Sequence, residues 1–150
     1  MPKGDGLRLL PMEERHVPIL AELERLCFSE PWSEDGLRAE LGNETARFLT
    51  AEQNGQVAGY AGMHAVCGEG YIANIAVFPA YRGRGVGRAL LQGLIAMARR
   101  EQCAFITLEV RAGNRPAISL YESEGFCTVG VRKGFYSHPK EDGLIMTLSF

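Results

Sequence analysis

Apolar residues recur along the chain with two different periods, and the switching between them outlines the fold. Leu7 to Leu10 reads as a short strand closed by Pro11. From about Met12 to Phe28 the period is helical, with Val17, Leu20, Leu23 and Cys27 on one side. Ser29 to Asp35 interrupts that pattern. Ser33, followed by acids, is placed to cap a second helix running to Leu41 or Gly42. Two strand-like runs, Arg47 to Glu52 and Gln56 to His64, flank Asn54-Gly55, a dipeptide suited to a tight antiparallel hairpin turn. A third run, Tyr71 to Val77, follows the turn signal Gly68-Glu69-Gly70.

Next comes Tyr81-Arg82-Gly83-Arg84-Gly85-Val86-Gly87-Arg88, and then a helix to about Glu101 in which Val86, Leu90, Leu94 and Ala98 share a face beside Leu91 and Ile95. Ala104 to Val110 reads as a buried strand. Pro116 suits the first turn of a short helix that carries Ala117, Leu120 and Tyr121 and stops at Gly125. Phe126 to Tyr136 and Leu144 to Phe150 close the chain as strands separated by a loop, Ser137 to Gly143. The order β-α-α-β-β-β-α-β-α-β-β predicts an α/β (mixed α+β) fold, a central mixed sheet flanked by helices.

At 150 residues the chain matches one domain, 1–150, with Met1 to Gly6 as a loose N-terminal tail. That tail lacks the apolar centre of a signal peptide, and no apolar stretch reaches the roughly 18 residues of a membrane span. Both point to the cytoplasm and away from a membrane. Net charge is −2, which argues against a general nucleic-acid binder. The distribution is more telling, since five arginines and no acid lie between Arg82 and Arg100. Because they begin inside the glycine-rich loop, they suggest a small polyanionic ligand over a merely solvated helix face. Cys27, Cys67, Cys103 and Cys127 form no C-x-x-C pair and read as reduced, mostly core thiols. His16, His64 and His138 have no metal-ligand spacing, so no metal is expected.

A glycine-rich loop between strand and helix lets amide N–H groups converge on an anion, aided by the positive end of the helix dipole. Nucleotide folds share this geometry. The loop lacks the Gly-Lys-Ser/Thr ending of a triphosphate loop, and it falls mid-chain where a dinucleotide fold would place it after the first strand. Glu109 is the one acid in an apolar strand, towards its C-terminal end. It reads equally as a buried general base of raised pKa or as a strand acid facing solvent or paired with Arg111. Tyr121 reads as an aromatic core anchor or a proton donor, and Asn114 as a turn residue or a ligand contact.

Arg82-x-x-Gly85-x-Gly87 resembles the pyrophosphate motif of the GNAT acetyltransferases. Asn74-Ile75-Ala76-Val77, Leu108-Glu109-Val110-Arg111 with Asn114, and Leu120 to Phe126 follow in that superfamily's order. Pro31-Trp32-Ser33 and Tyr136…Glu141-Asp142…Met146 are similar to the ribosomal-protein-alanine N-acetyltransferase subgroup. The resemblance implies a GNAT fold with a mostly antiparallel sheet and acetyl-CoA as cosubstrate. The acceptor would be a protein N-terminus, that of a ribosomal protein, with no direct contact to nucleic acid.

It further implies Glu109 as general base and Tyr121 as general acid in a direct transfer without a cysteine intermediate. Ile75, Ala76, Val77 and Asn114 would line the cofactor arm, with the Val77 N–H as oxyanion donor. The amides of Gly83, Arg84, Gly85, Val86, Gly87 and Arg88 would hold the pyrophosphate. Trp32, Tyr136, Glu141 and Asp142 would frame the acceptor groove. Gly113, Gly143 and Phe78 depart from the family's usual serine, alanine and acid, and the two glycines are expected to loosen that groove. Rival readings are a lysine or small-amine acetyltransferase, a non-catalytic acyl-CoA binding module, and an RNA-binding module.

Overall fold

The computed structural model describes residues 6–150. The expected tail lies outside the described residues except for Gly6, whose carbonyl accepts from the Asn54 amide at 3.1 Å. Seven strands form one sheet: β1 (Leu7–Pro11), β2 (Ala46–Gln53), β3 (Gln56–Val66), β4 (Glu69–Val77), β5 (Phe105–Arg111), β6 (Cys127–Ser137) and β7 (Lys140–Ser149). Their spatial order is β1-β2-β3-β4-β5-β7-β6, antiparallel throughout except for the parallel pair β4 and β5. The helices are α1 (Val17–Cys27), α2 (Glu34–Glu40), α3 (Val86–Arg100) and α4 (Arg115–Ser123). None of them is long and apolar enough to cross a membrane.

Local chemistry explains most boundaries. Asn54 and Gly55 both take positive φ, 53° and 85°, as the β2–β3 hairpin demands. Ser33 Oγ accepts from the Gly36 amide at 3.0 Å and starts α2. Two boundaries differ from expectation. The β3–β4 turn is made by Cys67 and Gly68, with φ of 50° and 77°, so Glu69 and Gly70 already belong to β4. The loop expected to end at Gly143 is confined to His138-Pro139, because Lys140 and Glu141 pair with Ser137 and Tyr136 and the Asp142 carbonyl accepts from the Ala112 amide. The cysteines depart as well: only Cys103 is buried, while Cys67 and Cys127 are exposed.

Alternation along the strands sends side chains to two apolar layers. Phe48, Tyr60 and Ala76 meet Val17, Leu20 and Leu23 of α1 and Leu37 of α2. Leu49, Ala61 and Ile106 meet Leu90, Leu91 and Leu94 of α3, with Ile118 and Tyr121 of α4. Each fully buried leucine contributes about 1.5–3 kcal/mol of transfer free energy. His16, also buried, accepts at Nδ1 from the Glu13 amide, so Nε2 carries its proton and donates to Glu52 Oε2 at 2.8 Å. Glu52 is held below the usual carboxylate range by that bond and by Arg15.

Gly59 marks the tightest backbone approach next to the end of β4. A Cβ there would stand 2.5 Å from the Ala76 carbonyl oxygen and 3.1 Å from the Val77 Cα. Gly59→Ala is therefore expected to lose about 1–3 kcal/mol of stability in urea unfolding. Gly42→Ala, where a Cβ meets nothing within 4 Å, is expected to be neutral within about 0.5 kcal/mol.

Candidate active site

The site exists because β4 and β5 pair over only three residues each, Glu69 to Tyr71 against Phe105 to Thr107. Beyond Tyr71, β4 stays with β3 while β5 stays with β7, and the sheet opens between them. The opening is a cleft of about 710 Å³, walled by Ile72 to Ile75, Leu108 to Arg111, the start of α4, the α1–α2 connection and the β6–β7 turn. Strand alternation fixes what faces it. The Phe78 amide donates to the Ala58 carbonyl at 2.8 Å, so the N–H and C=O of Val77, and of Ile75 two residues earlier, point away from β3 towards the open side. The Val77 carbonyl accepts from Arg82 Nε at 3.0 Å, and its N–H remains on the gap.

The glycine loop stands at one end of this opening. Gly83 and Gly85 have φ of 78° and 81°, which only glycine adopts without strain. Gly85 is the N-cap of α3 and has no side chain to cap it. The first intrahelical bond runs from the Ala89 amide to the Gly85 carbonyl, so the amides of Val86, Gly87 and Arg88 have no partner within α3. Gly87 lies against Val77 and Leu120, which ties this amide cluster to β4 and α4. The arginines behave differently from expectation. Arg88 is bonded to Ser123 Oγ at 2.9 Å and to Glu124, and Arg82 reaches Val77 and Cys27. Their side chains brace the loop, and the anion-binding capacity belongs to the backbone, which fits a pyrophosphate.

Glu109, Tyr121, Asn114 and Ile75 meet on the cleft wall, whereas Ala76, Val77 and the loop border it without lining it. The burial expected for Glu109 is absent: its side chain is 30% exposed, and Arg132 Nε on β6 contacts its Oε2 at 2.7 Å. Arg111 makes no such pair with Glu109. Tyr121 is 8% exposed, packs its ring 5.8 Å from Phe126, and is pushed up to about 12 by burial and, secondarily, by Tyr136. Asn114 serves as the N-cap of α4, its Oδ1 accepting from the Ala117 amide at 3.3 Å. Its amide NH₂ is the group left for a ligand.

Of the expected groove residues, Trp32 and Tyr136 line the cleft. Trp32 packs against Phe48 at 5.9 Å, and Tyr136 carries the Arg111 guanidinium over its ring at 4.4 Å. Burial raises the Tyr136 phenol, and Glu109 raises it further. Glu141 and Asp142 do not line the cleft. Glu141 accepts from the Gly113 amide at 2.6 Å and pairs with Arg111, while Asp142 accepts from the Gly134 amide at 2.8 Å. Both carboxylates hold the hairpin together. The two glycines expected to loosen the groove lie outside the cleft lining, at positions where neighbours approach closely. A Cβ at Gly113 would stand 2.6 Å from Glu141 Oε2, and one at Gly143 would press on Phe135 and Tyr136 at 3.3 Å.

Two roles escaped the sequence reading. Arg111 binds the carbonyls of His138 and Pro139 besides Glu141, and so fixes the β6–β7 turn. Glu24, on α1, is fully buried beside the cleft and accepts from the Trp32 amide, Tyr60 and Asn74. Burial pushes its carboxyl up, against the pull of those three donors. Its signal was legible: with Val17, Leu20 and Cys27 it falls on the apolar stripe of an otherwise amphipathic helix.

Comparison with known proteins agrees with this geometry. A family model described as the acetyltransferase (GNAT) family matches residues 17–126. The [ribosomal protein bS18]-alanine N-acetyltransferase of Escherichia coli K12 is 37% identical over 139 residues, 91% of this chain and 93% of that protein. The crystal structure of the ribosomal-protein-S18-alanine N-acetyltransferase from Escherichia coli superimposes with a TM-score of 0.88 at 35% identity, covering 95% of this chain and 93% of the other. The NatC complex bound to Gag peptide and CoA has a TM-score of 0.84 at 26% identity, covering 96% and 98%.

Capping and ligand contact at Asn114 can be separated. Asn114→Ser retains an N-cap oxygen, so its melting temperature is expected to stay near wild type, whereas Asn114→Ala loses about 1 kcal/mol. Both lack the amide, and both are expected to bind CoA several-fold more weakly by calorimetry.

Proposed function

The chain belongs to the acetyltransferase (GNAT) family, and on that footing we propose that it works in the cytoplasm as one domain carrying the acetyl group of acetyl-CoA to the N-terminal α-amine of a protein. The acceptor in this reading is the alanine N-terminus of ribosomal protein bS18, the substrate named for its relatives. The observation that carries it is the cleft itself, which sets Glu109 and Tyr121 on one wall beside an outward-facing β4 backbone, with unpaired α3 amides at its border.

The chemistry follows from what each group can do. The amides of Val86 to Arg88 take the pyrophosphate of the cosubstrate, and the Val77 N–H faces the thioester oxygen. A peptide α-amine has a pKa of about 8, so a useful fraction enters as the free base near neutral pH. As that nitrogen attacks, Glu109 takes the proton it must shed to become an amide, on the oxygen that Arg132 does not hold. The amine nitrogen bonds to the thioester carbon, and negative charge grows on the oxygen opposite the Val77 N–H. The C–S bond then breaks, and Tyr121 gives its proton to the departing sulfur. Its raised pKa keeps that proton in place until the thiolate forms. Amide and thiol leave, and the proton on Glu109 passes to solvent and is replaced at Tyr121.

Glu109→Gln and Tyr121→Phe are each expected to lower kcat by about 100-fold or more. Tyr121, at about 12, stays protonated well above the ordinary tyrosine value. The kcat/KM profile should therefore rise through a pKa of about 8 as the amine deprotonates and show no fall up to pH ~10. A fall centred below that value would remove Tyr121 as the acid. Mass spectrometry of peptides beginning with Ala, Ser or Met, and of blocked controls, is expected to place the acetyl group on the free α-amine. Acetylation confined to internal lysines would refute the acceptor.

A further inference from the structure

We propose that Asn74 receives the acceptor amine, its side-chain carbonyl turned towards the cleft by the buried carboxylate of Glu24; the inference rests on the acetyl-transfer reading above. Glu24 lies on α1, is 0% exposed, and has no Lys, Arg or His partner among the described residues. Its oxygens are met by donors. Oε1 accepts from the Trp32 amide at 2.9 Å, and Oε2 accepts from the Tyr60 hydroxyl at 2.5 Å and Asn74 Nδ2 at 2.9 Å.

Both Glu24 oxygens accept in this network, and Asn74 presents its NH₂ to Oε2 at 2.9 Å. The amide of an asparagine is a rigid fork. Once Nδ2 is turned inward to Glu24 and Tyr60, Oδ1 is the atom left for the cleft, which Asn74 lines. Asn74 also lies on the α1 side of β4, with Tyr60 and Ala76, whereas Ile75 and Val77 belong to the α3 side that the glycine loop adjoins. The two faces of one strand therefore meet different reactants.

Oδ1 is a pure acceptor, and the carboxyl group behind the Asn74 amide has no cation beside it. Such a point favours a group rich in N–H, an ammonium or amine, over a phosphate or a thioester oxygen. One N–H given to Oδ1 would orient the nitrogen and leave its lone pair for the thioester carbon. Glu24 touches no reactant and acts as a positioning residue. Through the Trp32 amide the same carboxylate also fixes the α1–α2 connection that walls this end of the cleft.

The test is steady-state kinetics with an Ala-initiated peptide and acetyl-CoA, together with CoA affinity by calorimetry. Asn74→Ala is expected to raise the peptide KM about tenfold, to change kcat less, and to leave CoA affinity within twofold. Glu24→Gln, whose new NH₂ allows Asn74 to flip, is expected to raise the peptide KM similarly. The double variant should be no worse than Asn74→Ala alone, a non-additivity that mere destabilisation does not produce. Should Glu24→Gln fail to fold, Asn74→Ala decides alone. An unchanged peptide KM in Asn74→Ala, a loss in CoA affinity instead, or additive effects would overturn the proposal. If the wild type acetylates a lysine or a small amine in place of the peptide α-amine, the acceptor reading fails. The KM of Asn74→Ala for that amine then tests this inference separately.

Discussion

Everything functional in this molecule depends on a sheet that does not close. β4 and β5 are the one parallel pair, held over three residues, and each then follows a different antiparallel neighbour. An ordinary ladder would consume the N–H and C=O groups of Ile75 and Val77. Parting the strands leaves these groups directed at a gap, at a cost that the flanking helices must offset by burial. α3 covers one face beside the gap, α1 covers the other, and α4 delivers Tyr121 from below. The cleft is a consequence of topology before it is a matter of side chains.

What could be read in the sequence was what is local. Asn54-Gly55, Ser33 and Pro116 announce their turn, cap and helix start because φ preferences and short-range hydrogen bonds decide them. The glycine loop was legible for the same reason. The parting of β4 and β5 was not, since it depends on which distant strands each joins. The same limit explains the errors at the site. Lys140-Glu141-Asp142 looks like a loop by composition, yet Arg111 and two backbone amides satisfy its acids and let the chain pair as β7. Glu109 read equally as buried or as facing solvent or paired with Arg111, and the side chain that answers it, Arg132, is two strands away across β7.

The two faces of β4 are built on different physical principles. On the α3 face, the amides of Val86 to Arg88 have no partner within α3, an arrangement that can meet an anion without a charged side chain. On the α1 face, Glu24, Tyr60, Asn74 and the Trp32 amide form a network in which each polar atom constrains the next. The β6–β7 hairpin is clamped by Arg111, which sits on Tyr136 and binds the turn carbonyls. The hairpin's shape near the cleft thus rests on one guanidinium together with the Glu141 and Asp142 carboxylates.

Arg82 and Arg88, the residues that make the loop look like a basic anion trap, are turned onto Val77 and Glu124. The loop's freedom to vary is therefore narrow: Val86 is packed in the core, Gly87 lies against Val77 and Leu120, and Arg88 is a brace, which leaves Arg84 as the exposed side chain that can be exchanged without disturbing the backbone. On the proposed reading, variation at Arg84 would be silent for a phosphate held by amides, whereas a single atom-for-atom change at Glu24 or Asn74 would reverse a dipole. Divergence among chains of this build would then pass unnoticed at the one position and alter acceptor choice at the other.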